Sequence, residues 1–161
     1  MRTRFNSEKE LEHYLMSANI SQLSEFGLIL NKNRIRQYNL GKFGIVDILA
    51  WERWGDTLCI DIVELKKDRI DAKALGQGLK YVQGVQDYFL SRFDITGKTT
   101  RGNINVSVNL ILIGSSVEEG NLARICNVFN NVNMFRYEKI NDVVKFKRPE
   151  IVWNEYKKLV M

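Results

Sequence analysis

The chain has 161 residues, 45% of them apolar and 27% charged, with a formal net charge of +5. That length suits one globular domain with a sizeable core, and the composition excludes a disordered or low-complexity chain. The apolar runs, such as LILI at 110–113, are strand-sized and too short to span a bilayer.

The polar opening MRTRFNSEKE lacks the apolar stretch of a signal peptide, so a cytoplasmic protein without a membrane partner is expected. Cys59 and Cys126 lie far apart without a CxxC spacing and read as reduced core thiols. His13 is the only histidine, which leaves no basis for a zinc site. The basic balance is compatible with a polyanionic partner.

Ser7-Glu8-Lys9-Glu10 matches the S-x-x-E capping box, and Leu11, Tyr14, Leu15 and Ala18 follow at helical spacing. A first helix is expected over about 8–18. LILNKNRIRQYNL at 28–40 reads as extended and carries Lys32, Arg34 and Arg36. Residues 41–44 make a turn, and a strand follows over about 44–52. Gly55-Asp56 marks a hairpin turn, and a third strand covers about 57–66.

Leu75, Leu79, Val82 and Phe89 form one apolar stripe of a helix over about 72–91. Gly76, Gly78 and Gly84 fall inside it, each costing roughly 1 kcal/mol relative to alanine. Close packing against a sheet, or close approach of a ligand, would explain them. FDITGKTTRGN at 93–103 is a polar loop, and INVSVNLILIG at 104–114 is a central strand. A helix over about 118–128, a short strand near 134–137 and another at 142–147 follow. Pro149 fits the first turn of a last helix ending near 159. The order α-β-β-β-α-β-α-β predicts an α/β fold with a mixed central sheet flanked by helices. Residues 1–161 read as one domain, with a core over about 5–137 and an extension over 138–161.

The strands carry charges where apolar residues are expected. Alternation puts Asp47 on the face of Ile45 and Leu49, and Glu64 and Lys66 on the face of Ile60 and Ile62. In a hairpin these faces can coincide, so three charges converge on an apolar surface. A buried charge needs a partner. Lys66 can pair with one carboxylate, and one remains. Magnesium or manganese would resolve this, since both take oxygen ligands. Glu155-Tyr156-Lys157 repeats the E-x-K triplet in an expected surface helix and reads as solvated charge. Gln77 and Tyr81 lie four apart on the helix that follows Lys66, hence on one face of it.

This set of residues resembles the PD-(D/E)xK nuclease superfamily. It is most similar to the catalytic domain of the NucS-type (EndoMS) mismatch endonucleases. The resemblance rests on SEKELEHYL at 7–15, RIRQYNLGKFGIVDILA at 34–50, VELKK at 63–67, GQGLKYV at 76–82 and ILIGSSVEEG at 111–120. It covers about residues 5–137 and implies a restriction-endonuclease-like core. By this likeness Asp47 and Glu64 match the metal ligands and Lys66 the catalytic lysine. Glu8 matches the first-helix acid, with Glu12 one turn along as its rival. Gln77 and Tyr81 match the accessory helix pair.

The resemblance implies a magnesium- or manganese-dependent nuclease acting on phosphodiester bonds, with DNA the expected partner. Arg34, Arg36, Lys42, Lys67, Arg69 and Lys73 would hold the nucleic-acid backbone. The alternative is a non-catalytic nucleic-acid-binding protein or subunit on the same fold. A homodimer, or a partner that supplies specificity, fits either reading. The separate N-terminal DNA-binding domain of the NucS family has no counterpart in this sequence, and ERWGDT at 52–57 makes a longer hairpin. Mismatch specificity is therefore not carried over.

Overall fold

Ser7 caps the first helix, α1 (Glu8–Ser17), by accepting the Glu10 amide at 3.1 Å. The Glu10 carboxylate reaches back to the Asn6 amide at 3.0 Å. These bonds satisfy donors that a helix start leaves open. The computed structural model describes residues 4–92, 98–99, 102–103, 105–117 and 131–149. Asn19 caps a second helix, α2 (Ile20–Glu25), that the sequence pattern does not signal.

A three-strand meander follows: β1 (Asn33–Asn39), β2 (Ile45–Trp54) and β3 (Thr57–Leu65). A single 3₁₀ turn, Gly41–Phe43, joins the first two. Gly55 at φ 56° closes the tight turn between the second and third, as the Gly-Asp pair predicts. After the short β4 (Arg69–Ile70) comes the long helix α3 (Ala72–Arg92).

Beyond it, β5 (Lys98–Thr99) and β6 (Gly102–Asn103) form a small antiparallel ribbon within the stretch read as a loop. Then come β7 (Asn105–Gly114), β8 (Ser116–Val117), β9 (Val132–Ile140) and β10 (Val143–Lys147). The strand expected near 134–137 is thus longer and ends in a hairpin with β10. The helices expected at 118–128 and after Pro149 lie outside the described residues, as does the Glu155 triplet.

The main sheet has six strands in the order β1-β2-β3-β7-β9-β10. β1, β2 and β3 pair antiparallel, and β3, β7 and β9 pair parallel. The fold is mixed α/β with helices on both sheet faces, and β7 lies inside the sheet as its apolar run predicts.

On one face Leu11, Leu15 and Leu23 of the first two helices pack against Val63, Leu65, Ile111, Ile113 and Tyr137. On the other, Ala74, Leu75, Val82 and Val85 of α3 pack against Ile60, Ile62, Leu110 and Leu112. Each such Leu or Ile contributes roughly 1.5–3 kcal/mol by leaving water. Gly78 lets α3 approach β7, because a Cβ there would stand 2.6 Å from Leu110 Cδ1. Gly84 likewise admits the Phe43 ring, whereas Gly76 faces open space. Close packing therefore explains two of the three helix glycines. No helix among the described residues is long and apolar enough to cross a membrane.

Candidate functional site

The β2–β3 pairing runs from Trp54 opposite Thr57 to Ile48 opposite Val63. One step beyond stand Asp47 and Glu64. Residues opposite each other in an antiparallel pair share a face, so register brings the two carboxylates together. There the ladder gives way to a side-chain bond: the Leu65 amide donates to Asp47 Oδ2 at 2.8 Å. On the other side, β1 pairs Arg36 with Ile48 and Tyr38 with Val46 but skips Gln37 and Asp47. Gln37 stands at φ 52°, in the left-handed region.

Glu64 is only 6% exposed, and its Oε2 atom is buried without a hydrogen-bond partner. Lys66 Nζ lies 3.8 Å from Oε1 of the same carboxylate. Burial, then the negative charge of Asp47, push Glu64 up to about 8, while Lys66 pulls it back. Burial also raises Asp47, opposed by the Leu65 amide, and Glu8 and Glu12 add to the rise. With a proton on Glu64 the two carboxyls can share a hydrogen bond. Without it, Glu64 Oε2 is a buried anion lacking a donor, an arrangement that a cation relieves.

Glu8 is exposed at the start of α1, and its Oε1 lies 3.5 Å from the Lys67 amide. Its charge acts on both Asp47 and Glu64. Glu12 is only 7% exposed and accepts from Gln37 Nε2 at 2.6 Å. Glu8, Lys9, Glu12, Arg36, Gln37 and Asp47 line an open cavity of about 550 Å³. Asp47, Glu64 and Glu8 offer carboxylate oxygens, which suit magnesium or manganese. Among the described residues no three Asp, Glu, His or Cys side chains already form a metal cage. The orphaned Glu64 oxygen is what makes the acidic set fit a cation.

Gln77 and Tyr81 approach the site from α3, and the charges of Glu64 and Asp47 add to the burial that raises the Tyr81 hydroxyl. Their polar atoms hold backbone: Tyr81 donates to the Ile45 carbonyl at 2.7 Å and Gln77 to that of Phe43 at 3.4 Å. Gly44 makes room for them. At φ 110° it occupies a conformation that favours glycine, and a Cβ would stand 3.1 Å from the Tyr81 ring.

The expected basic residues separate. Arg36 reaches the acidic cavity. Lys67 lies beside it, its backbone amide toward Glu8 and its ammonium 3.9 Å from Asp68. Arg34 turns inward and donates to the Leu15 carbonyl at the end of α1. Lys42 lies over the Phe43 ring at 5.1 Å and lines a separate apolar groove with Trp51 and Tyr88. Arg69 on β4 and Lys73 in the first turn of α3 are exposed. Lys9 and Gln37 are cavity residues that the sequence reading missed. Lys9 had a signal, as the neighbour of Glu8, whereas the left-handed turn at Gln37 had none.

Searches with protein-family models, among curated proteins and among solved structures each return no match to this chain.

Proposed function

We propose that the chain is a metal-dependent nuclease on a restriction-endonuclease-like core, hydrolysing phosphodiester bonds with DNA as its substrate. The observation that carries this reading is the buried, unpartnered Glu64 Oε2 opposite Asp47, with the Lys66 ammonium beside it. A protein that only binds nucleic acid gains nothing from a surplus buried carboxylate. Asp47, Glu64 and Glu8 would hold magnesium or manganese. The cation would supply Lewis acidity and offset charge on the phosphate.

The chain's own residues do the rest. Hydrolysis joins a water oxygen to phosphorus and breaks one P–O bond, so negative charge gathers on the phosphoryl oxygens. Lys66, half-buried at the end of its strand, offers them an ammonium. Arg36 and Lys9 stand at the cavity wall, where a substrate backbone can meet them. Tyr81 and Gln77 hold the segment that delivers Asp47.

The test is incubation with single-stranded, duplex, mismatched and branched DNA, and with RNA, in magnesium or manganese. Metal-dependent cleavage lost in Asp47→Asn supports the reading. Tight binding without cleavage of any substrate supports the non-catalytic alternative instead.

A further inference from the structure

We propose that Gln37 is a positioning residue for the acidic site, setting Asp47 through its backbone and α1 through its side chain. The inference rests on the metal-site reading above. Two bonds and one backbone angle carry it. Gln37 adopts φ 52°, a conformation unfavourable for a residue with a side chain. Glycine would adopt it freely, so the glutamine must supply something that glycine cannot.

The backbone angle acts on Asp47. It interrupts the β1–β2 pairing at Gln37 and Asp47, while Arg36–Ile48 and Tyr38–Val46 remain paired on either side. Asp47 is left without a ladder partner from β1, and its carboxylate takes the Leu65 amide across the sheet. The acid is thus aimed by a local break in an otherwise regular strand pair.

The amide acts on the helix. Gln37 Nε2 donates to Glu12 Oε2 at 2.6 Å, and Glu12 is one of the few buried charged side chains described. Glu12 and Glu8 lie four apart, on one face of α1. Holding Glu12 therefore holds the face that carries Glu8 over Asp47 and Glu64. The donor also satisfies a carboxylate oxygen of this buried side chain. Gln37 thus touches both walls of the site, and Asp47, Glu12 and Gln37 line the same cavity.

The experiment titrates the whole chain with manganese alone in a calorimeter and follows hydrogen exchange at the Leu65 amide, with thermal melting as folding control. Gln37→Gly keeps the backbone angle and removes the amide. Gln37→Ala removes the side chain and disfavours the angle. The exchanged pair Glu12→Gln with Gln37→Glu restores a donor–acceptor bond with the roles reversed. Gln37→Gly should weaken manganese binding about tenfold, the low end of what losing outer support around a metal site costs, and leave Leu65 exchange unchanged. Gln37→Ala should weaken binding further and speed Leu65 exchange. The exchanged pair should recover most of the affinity. Wild-type affinity in Gln37→Gly, or no recovery in the exchanged pair, overturns the side-chain role. Unchanged Leu65 exchange in Gln37→Ala overturns the backbone role. A wild-type chain that takes up no manganese overturns the metal-site reading itself, and Leu65 exchange still decides the backbone role.

Discussion

Tyr81 donates its hydroxyl to the carbonyl of Ile45 at 2.7 Å, and Ile45 stands two residues before Asp47. A side chain of α3 thereby fixes the entry of the strand that carries the central acid. Tyr81 is 5% exposed and Ile45 half exposed, so the bond is part-buried. Tyr81→Phe keeps the ring in place and leaves a part-buried carbonyl without its donor. It should cost roughly 0.5–1.5 kcal/mol of stability, the net worth of a typical hydrogen bond, because water can reach part of the carbonyl. Urea unfolding measures this. Cleavage by the variant should also slow, because Asp47 loses a support. A variant as stable and as active as wild type would show that the bond is incidental.

The raised Glu64 gives the metal-free protein a defined pH response. Its folded pKa is about 8, against 4.5 for an ordinary glutamate. Between these values the folded chain keeps a proton that the unfolded chain has released. Stability therefore falls as pH rises through this window. The contribution is fully present below the unfolded value and is gone above the folded one. The melting temperature of chelator-treated protein should drop from about pH 5 to about pH 8, and Glu64→Gln should flatten the fall. Manganese favours the ionised form, so its stabilising shift should grow over the same range. A metal-induced shift that shrinks with rising pH would mean that Glu64 is not the group that meets the cation.

Much of this site was legible from alternation alone. Asp47 and Glu64 stand on apolar strands around a Gly-Asp turn, so period and turn together place them opposite each other. The S-x-x-E box likewise placed Glu8 at a helix start. What sequence could not give was decided by tertiary contacts. Ile20–Glu25 is too short to show a helical stripe, and only Leu23 is buried in it. Arg34 looked like a phosphate contact because its run is basic, yet the end of α1 offers it a bare carbonyl. Gln37 has no residue-type signal for a left-handed angle, which glycine or asparagine would have provided. Tyr81 and Gln77 were legible as a pair, but not the backbone carbonyls that they hold.

A second buried acid on β3, outside the acidic cavity, supplies a contrast. Asp61 is 5% exposed and accepts from the Asn31 amide at 2.9 Å and the Asn31 side chain at 2.8 Å. Burial raises its pKa, and these donors oppose the rise. Asp61→Ala leaves the Asn31 donors without their acceptor and should lose roughly 1–3 kcal/mol. At a temperature where both proteins remain folded, the cleavage rate should match wild type, since Asp61 lies three residues before Glu64 on β3 and lines a different cavity from the acidic one. Loss of cleavage without loss of stability would place chemistry at this second cavity.

Lys66 separates chemistry from folding. It ends the charged strand with its side chain 35% exposed, and its ammonium lies 3.8 Å from Glu64. Truncation at such a position leaves little cavity, so Lys66→Ala should melt within a few degrees of wild type. It also removes the cation that lowers the pKa of Glu64, so the carboxyl should hold its proton more firmly in the metal-free variant. Losing one electrostatic stabiliser of a reacting group costs on the order of 10²–10³ in rate. Nicking of plasmid in manganese should fall by that factor or more. Glu155→Ala, in the second E-x-K triplet, should cut like wild type. If Lys66→Ala nicks as fast as wild type while Asp47→Asn is dead, the carboxylates hold a cation but Lys66 has no part in the chemistry. If both variants keep full activity, cleavage belongs to a different site, and the acidic pair is a structural feature of the strand ends.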